Sequence, residues 1–342
     1  MKISANRPIE GTRYRVTEWG SSKKSYDPEC RFFRSSSFDA LYCDYLQLSR
    51  ADLGAIKVAR LLDKIGVGAF VCSFVHRRTK KVSAVLSLRI DDLLSRMAQE
   101  RIAFARLFLD SDFSCELLSD VSGVIDRFCC ERGITLVRCK ADSEMNVRRH
   151  MNGCGYEFYA ATCRLGKKVD RTARFAADEF DMIDLKDRPD RQQAALGFFE
   201  RYEGSERFSN PYLRREVLHR YYEEWFHLLL KTESSFLFGI VEPHAKHMIG
   251  VGCISRSGMM RETAVIHTLD FLALAPGYRF RHIGSAILSC MEHRLPEGTF
   301  LEGSHMYDNK ATRNLLSRLR YVNTHVFDFY TKRYRSPIPE SE

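Results

Sequence analysis

The stretch Phe271–Arg294 constrains the fold more than any other part of the sequence. An apolar segment, predicted as a strand over Phe271–Leu274, passes through the turn Pro276–Gly277 into a basic loop and then into a helix predicted over Ile283–Arg294. Backbone N–H groups at the start of a helix, and the positive end of its dipole, attract anions. The order strand, basic loop and helix therefore predicts an α/β unit with a site for a diphosphate.

Two segments in this region match a known pair of motifs. Arg279–Gly284 follows the pattern Arg/Gln-x-x-Gly-x-Gly/Ala, and Asn309–Tyr321 follows Asn-x-x-Ala-x-x-Leu-Tyr-x-x-Leu-Gly-Phe with its small residues slightly shifted. In this pairing and order the chain resembles the GCN5-related N-acetyltransferases (GNAT), whose acetyl-CoA site is built from these motifs. The resemblance implies acetyl-CoA as co-substrate and a small-molecule amine as its partner.

The resemblance implies which residues lie around acetyl-CoA. Backbone N–H groups of the strand before the loop would hold the thioester carbonyl, and the loop with the helix start would hold the diphosphate. Asn309 would contact the pantetheine or hold the next helix. The residues assigned to acetyl-CoA in this way are Leu272, Ala273, Leu274, Arg279, Arg281, His282, Ile283, Gly284, Ser285 and Asn309.

Three positions depart from the family pattern. His282 stands at the first glycine of the pair, where a side chain restricts the approach of a diphosphate to the backbone. Leu316 stands where many members place a tyrosine that protonates the CoA thiolate, and Arg320 replaces a glycine. Two functions therefore remain open, an active N-acetyltransferase and a catalytically weak or inactive GNAT-fold module that binds a ligand or protein.

Acetyl transfer to an amine requires a free amine, a polarised carbonyl and a proton for the leaving thiolate. Because Leu316 cannot donate a proton, we predict a substitute near the end of the preceding strand. Tyr307 and His305 are the predicted donors, with Tyr321 as a further hydroxyl nearby.

For the base, the sequence offers His267 and Asp270 on the strand that leads to the carbonyl site, and Glu302 on the next strand. Alternation along a strand places His267 and Asp270 on opposite faces unless a bulge intervenes. We therefore expect at most one of the two to face the substrates.

The chain divides at the charged, apolar-poor stretch Gly166–Arg174, which predicts an N-terminal domain over 1–168 and a C-terminal acyl-CoA-binding domain over 169–342. Both halves end in a helix, an aromatic residue and a strand, at Asn146–Tyr156 and at Asn309–Tyr321 with the residues that follow. This weak repeat predicts an α/β fold of two tandem GNAT-like units, each a mixed, mostly antiparallel sheet flanked by helices. Two unrelated α/β domains are the alternative.

The predicted elements follow from apolar periodicity and from turn residues. The strands are predicted over Ala69–Val75, Val82–Ile90, Ile102–Leu109, Thr135–Lys140, Glu157–Arg164, Phe236–Val241, Met248–Ser255, Thr263–Leu274, Thr299–Tyr307 and Tyr321–Tyr330. The helices are predicted over Leu117–Arg132, Ser143–Asn152, Asp190–Glu203, Pro211–Leu230, Ile283–Arg294 and Asn309–Leu319. The N-terminal half carries the acidic segment Leu109–Glu116 where the other half has its basic loop, so we expect a degenerate unit that shapes the substrate cleft of its neighbour.

A third resemblance narrows the family. Arg207–Trp225, an Arg-Phe-Ser-Asn-Pro segment followed by a helix that ends in Tyr-x-x-Trp, resembles the substrate-side helices of dTDP-fucosamine N-acetyltransferase-like proteins. Core packing is the other interpretation of its aromatic residues. The entry signature of those proteins is only faintly matched by Leu48–Gly54 before a strand at Ile56–Leu61. The resemblance implies an amino sugar, carried on a nucleotide, as acceptor.

Net charge and cysteine content restrict the classes of ligand and the cellular compartment that we expect. The formal net charge is +9, but basic residues alternate with acidic ones, so we expect a solvated surface and anionic small ligands and no nucleic acid. The eleven cysteines show no Cys-x-x-Cys spacing, which argues against a metal site and for reduced thiols. The first residues lack the apolar centre of a signal peptide, and no apolar run approaches 20 residues. We expect a cytoplasmic protein without a membrane partner, and keep a homodimer as an option.

Overall fold

The computed structural model describes residues 13–20, 25–35, 49–169, 180–244, 247–261, 264–278 and 283–334. The strands are β1 (Tyr14–Glu18), β2 (Phe70–His76), β3 (Val82–Ile90), β4 (Ile102–Leu109), β5 (Leu136–Asp142), β6 (Glu157–Lys168), β7 (Asp181–Asp184), β8 (Ser235–Val241), β9 (Met248–Arg261), β10 (Ala264–Leu274), β11 (Phe300–Met306) and β12 (Val322–Arg333). The helices are α1 (Asp27–Ser35), α2 (Arg50–Gly66), α3 (Asp92–Ala98), α4 (Cys115–Glu131), α5 (Met145–Gly153), α6 (Pro189–Glu200), α7 (Arg215–Lys231), α8 (Ile283–Arg294) and α9 (Lys310–Arg318).

Local capping signals account for several helix boundaries. Ser49 begins α2 with a capping box, in which its hydroxyl accepts from the backbone N–H of Asp52 and the Asp52 carboxylate accepts from the backbone N–H of Ser49. Asn309 begins α9 in the same manner, since its side-chain oxygen accepts from the N–H of Thr312 at 3.0 Å. The capping box also explains one wrong prediction: the segment Ile56–Leu61, matched faintly to a strand, lies inside α2.

The chain folds into two compact units. Unit 1 is drawn from Met1–Ala161, Ser209–Tyr212 and His325–Glu342, and unit 2 from Thr162–Phe208 and Leu213–Thr324. The chain changes unit inside β6 and again inside β12. The predicted domain division at residue 168 stays a prediction. In the two compact units, the end of β12, from His325 on, belongs to unit 1.

Unit 1 is a mixed sheet in the order β1-β2-β3-β4-β5-β12, in which β4 and β5 are parallel and the other neighbours antiparallel. Side chains alternate between its two faces. Phe70 and Cys72 of β2 pack with Phe128 of α4 on one face, while Val71 packs with Leu61 of α2 on the other. Helices thus cover both faces of the sheet.

Unit 2 is a mixed sheet in the order β6-β11-β10-β9-β8-β7, in which β10 and β11 are parallel. Its core joins α6 and α7 to the sheet. Phe199 of α6 stacks on Phe271 of β10 with ring centroids 4.1 Å apart, and Phe226 of α7 packs beside them. The predicted class, an α/β fold with mixed and mostly antiparallel sheets flanked by helices, is confirmed for both units.

The last strand of each predicted half pairs outside that half. Residues Thr162–Lys168 of β6 pair with Phe300–Met306 of β11 in unit 2, and Phe327–Arg333 of β12 pairs with β5 in unit 1. Each of these strands satisfies backbone groups that would otherwise form an open sheet edge. In the described part of the chain, no helix is both long and apolar enough to cross a membrane.

A buried polar network ties β6 to the helices of unit 2. The Lys167 ammonium lies 2.6 Å from the Glu292 carboxylate, which is 2% exposed, and donates to the carbonyl of Leu319 at 3.1 Å. The Tyr321 hydroxyl donates to the other Glu292 oxygen at 2.9 Å. Because both carboxylate oxygens are satisfied inside the protein, loss of the lysine would leave a buried negative charge without its counter-charge.

We expect Lys167→Met to lower the free energy of unfolding by about 3–5 kcal/mol, the usual cost of removing one partner from a buried ion pair. The double variant Lys167→Met/Glu292→Leu should recover most of this loss, because no charge is then left buried. Urea denaturation followed by circular dichroism measures both. Lys168→Met, at the exposed neighbouring position, is the control and should stay within about 0.5 kcal/mol of the parent. An equal loss in the single and double variants would contradict this account.

Candidate active site

The parallel pairing of β10 with β11 is short. It covers Ile266–Leu269 of β10 and Phe300–Gly303 of β11. Beyond this point β10 stays paired with β9 as far as Leu274, and β11 stays paired with β6. Among the described residues, the β11-facing edge of Asp270–Ala273 is therefore not paired to β11, and the sheet opens there.

A cleft of about 1420 Å³ lies at this opening. Typical ligand pockets have roughly 300–1,000 Å³, so this cleft has room for a long ligand together with a second, smaller one. Its walls come from β10, β11, α6, α8 and α9. The cleft thus lies entirely within unit 2.

A β-bulge lies at Asp270, which lines the cleft. The register of β10 against β9 shifts between Leu269, opposite Ile254, and Phe271, opposite Cys253, so that Asp270 is the additional residue. One oxygen of its carboxylate, Oδ2, is buried and has no hydrogen-bond partner among the described residues. Burial raises the pKa of this carboxyl to about 6, although hydrogen bonds from the hydroxyl and backbone N–H of Ser255 act to lower it.

The two histidines predicted for the site lie in different surroundings. His305 lines the cleft, and its Nδ1 donates to the carbonyl of Met306 at 2.6 Å. Burial lowers the pKa of this imidazole, so Nε2 of the neutral ring carries a lone pair and accepts a proton instead of donating one. His267 does not line the cleft, and burial together with the nearby Arg256 lowers its pKa.

Neither tyrosine named for proton donation reaches the cleft wall. Tyr307 is 54% exposed and is not among the lining residues. Tyr321 is buried, and its hydroxyl is bound to Glu292. Leu316, at the position of the usual tyrosine, is a buried part of the wall. Glu302 hydrogen-bonds with Arg164 and accepts from Thr268, so it serves the sheet.

Most residues assigned to acetyl-CoA lie along the cleft. The described ones that line it are Leu272, Ala273, Leu274, Gly284, Ser285 and Asn309. Ile283 is buried and begins α8, and Arg279, Arg281 and His282 lie outside the described residues. At Gly284 a Cβ would lie 3.2 Å from a methyl of Leu315, so a glycine keeps the passage between α8 and α9 open.

Sequence reasoning missed one wall of the cleft. Four residues of the α6 region line it at helical spacing, and three residues after the helix continue the wall. These residues are Arg191, Ala194, Phe198, Arg201, Tyr202, Glu203 and Gly204. The intervals of three, four and three residues from Arg191 to Arg201 predict that these side chains share one helix face. They do not predict what that face contacts.

The described residues contain no group of three or more His, Cys, Asp and Glu side chains that could hold a metal ion.

Comparison with known proteins identifies the fold. No protein-family model and no curated protein matches the sequence. The structure resembles a GCN5-related N-acetyltransferase from Sphaerobacter thermophilus with a TM-score of 0.62 and 13% identity, over 95% of this chain and 97% of that one. It also resembles a Drosophila protein, with a TM-score of 0.51 and 14% identity over 95% and 99% of the two chains. A tandem GNAT protein from the clavulanic acid biosynthesis pathway has a TM-score of 0.49 and 12% identity over 78% and 83%.

The chain has the GNAT fold, as the sequence predicted. The similarity to the Sphaerobacter structure extends over almost the whole of both chains, and the protein contains two α/β units, so the predicted tandem architecture is confirmed. At these identities the likeness concerns the fold alone.

The raised pKa of Asp270 predicts a pH-dependent effect on stability. The folded carboxyl holds its proton up to about pH 6, whereas an unfolded aspartate releases it at about pH 3.9. Its contribution to stability is therefore complete below the unfolded pKa and is lost as the pH rises through the folded one. Asp270→Asn, which cannot ionise, should gain stability relative to the parent at pH 8 but not at pH 4, by at most about 3 kcal/mol.

Thermal melts of both proteins across this pH range measure the difference. Asp187→Asn, at an exposed position of the same unit, is the control and should track the parent throughout. A stability difference between Asp270→Asn and the parent that does not change with pH would contradict the raised pKa.

Proposed function

We propose that the protein transfers an acetyl group from acetyl-CoA to the amine of a small metabolite, by direct attack of the amine on the thioester. The observation that carries this proposal is the opening of β10 from β11 beside the bulged Asp270, whose carboxylate oxygen Oδ2 is buried. An amino sugar, free or carried on a nucleotide, is the acceptor suggested by the resemblance at Arg207–Trp225. A small-molecule partner and a cytoplasmic setting belong to the same proposal.

The residues present fit acetyl-CoA. The edge of β10 over Asp270–Ala273 supplies backbone groups along one wall, which suits the extended, amide-bearing arm of CoA. Gly284 lies at the first turn of α8, where backbone N–H groups lack intrahelical partners and a side chain would narrow the passage. Acetyl-CoA would supply the thioester carbonyl that is attacked and the thiolate that leaves.

Asp270 would act as the general base. Asp270 lies in the cleft wall, and its carboxyl ionises near pH 6. Its buried Oδ2 has no hydrogen-bond partner among the described residues, so this oxygen is the proposed acceptor of the proton from the attacking amine. Nε2 of His305 is a second acceptor in the same wall. Because an ordinary thiol has a pKa of about 8.5, its thiolate leaves near neutral pH without a strong acid beside it. Leu316 at the usual tyrosine position is therefore compatible with turnover.

The alternative, an inactive binding module, was suggested by His282 and Leu316. His282 lies outside the described residues, and Leu316 forms part of the wall of an open cleft. The glycine at position 284 and the bulged carboxylate both favour an enzyme.

Acetyl-CoA should raise the melting temperature of the parent protein. A ligand that binds only the folded state at 100 times its Kd stabilises it by about 2.7 kcal/mol. Gly284→Trp should abolish this shift, because the side chain would enter the passage between α8 and α9. Gly123→Trp is the matched control, a helical glycine of unit 1 at which a Cβ meets nothing within 4 Å, and it should keep the shift. Absence of a shift in the parent at millimolar acetyl-CoA would refute the proposal.

Asp270→Asn should reduce kcat/KM by about 10²–10⁴-fold, the usual contribution of a general base. Release of CoA thiol with a panel of amines that includes glucosamine measures the rate. The rate of the parent should rise with pH through about 6, because the base must be ionised to accept a proton. The stabilisation by acetyl-CoA should persist in Asp270→Asn, which separates loss of chemistry from loss of binding. An unchanged rate would remove Asp270 from the mechanism.

A further inference from the structure

The charges that line the cleft are unbalanced. Among the described residues, the charged side chains of its wall, apart from the histidines, are Arg191, Arg201, Arg318, Glu203 and Asp270. Glu203 is held by Arg215 at 2.9 Å, so its charge is compensated outside the wall. Burial raises the pKa of Asp270 only to about 6, so it carries a negative charge near neutral pH, and three arginines stand against two acids. The wall is thus net positive.

The two arginines of the α6 region stand at opposite ends of one stripe. Ten residues separate Arg191 from Arg201, which is about 15 Å along a helix. Arg191 is engaged with Asp190 at 3.3 Å. Arg201 follows the end of α6, and the next residue, Tyr202, places its ring 4.6 Å from that of Phe271. Since Phe271 adjoins Asp270 in the chain, Arg201 belongs to the end of the stripe that lies nearer to the base.

Arg201 is suited to bind an anion. In the described part of the chain its guanidinium makes no ion pair, and its only recorded ring contact is with Phe198, whose centroid is 6.0 Å from Cζ. A guanidinium presents a planar fork of N–H donors that matches both carboxylate and phosphate. Phe198, Tyr202 and Phe271 all line the cleft, and the rings of Tyr202 and Phe271 are in contact, so they give the middle of a ligand an apolar surface.

This arrangement discriminates among amines. Most aliphatic amines enter as ammonium cations, and a cation is repelled from a site lined by a surplus of positive charge. An amine that also carries an acidic group is not repelled, since the acid meets the guanidinium while the ammonium meets the carboxylate. The wall therefore selects for acidic amines.

Resting on the proposed acetyl transfer, we propose that the acceptor is an amine that also carries an anionic group, a carboxylate or a phosphate, and that Arg201 binds this group. Asp270 and Arg201 then define the two ends of the acceptor. The aromatic surface between them contacts its middle.

The test compares amines in matched pairs. Phenylalanine is compared with phenylalaninamide, and O-phosphoethanolamine with ethanolamine, so that each pair differs in its acidic group. Binding to the full chain is measured by ligand-observed NMR without acetyl-CoA, and thiol release is measured separately with it. The acidic member of at least one pair should bind about tenfold more tightly than its neutral partner, and the pair that shows the preference tells carboxylate from phosphate.

Two variants test whether Arg201 causes the preference for acidic amines. Arg201→Gln should bind both members of a pair equally, because binding of the acidic member weakens. Binding of the neutral member should stay as in the parent. Arg188→Gln is the matched control, because it removes the same charge from the start of the same helix at a residue that does not line the cleft. Arg188→Gln should therefore keep the preference of the parent.

The outcomes separate this inference from the proposed function. Equal binding within both pairs by the parent, or a preference that survives in Arg201→Gln, overturns the inference. No binding of either acidic amine at about 10 mM, above the usual ~1 mM limit of KM values, overturns it as well. Tighter binding of the acidic amines without thiol release supports the inference and refutes the proposed acetyl transfer. Thiol release without a preference for acidic amines supports the acetyl transfer and refutes the inference.

Discussion

The divergence of β10 from β11 is the constraint on which the site depends. Two parallel strands share hydrogen bonds only up to Leu269 and Gly303, because β10 follows β9 while β11 follows β6. The bulge at Asp270 lies where the two strands separate, and bulges increase local twist and end pairing. Backbone N–H and C=O groups of β10 that would otherwise pair with β11 are therefore available to a ligand. One oxygen of the Asp270 carboxylate beside them is buried.

The separation requires rigid neighbours on both sides. β11 is fixed by the pairing of Thr162–Lys168, and that strand is in turn anchored by the bond between Lys167 and Glu292. β10 is fixed by its long antiparallel pairing with β9 and by the stacking of Phe271 on Phe199 of α6. The same α6 supplies the positive stripe of the cleft. The packing that stabilises unit 2 thus also sets the shape and the charge of its proposed acceptor site.

Local patterns predicted much of the fold. Apolar alternation located most strands, and residues such as Asn309, a helix cap with its side chain on the N–H of Thr312, marked where helices begin. The motifs predict that Leu272–Leu274, Gly284 and Ser285 surround a ligand, and these residues line the cleft. Ile56–Leu61 was wrong because a strand was matched by resemblance where the capping box at Ser49 favours a helix. The wall formed by Arg191 and Arg201 was missed, because helical spacing shows a common face but not its neighbour.

Periodicity and turn residues predicted the order of strands and helices, because these signals lie within a few positions of each other. The tandem architecture and the segments around the cleft were predicted by the resemblance of short motifs to the GNAT proteins. Which side chains meet depends on the tertiary structure: the register of β10 shifts at Asp270, which lines the cleft, whereas His267 and Tyr307 do not line it. Register, burial and the pKa values that follow from them depend on contacts between residues distant in the chain, such as β10 with α6, which no local pattern encodes.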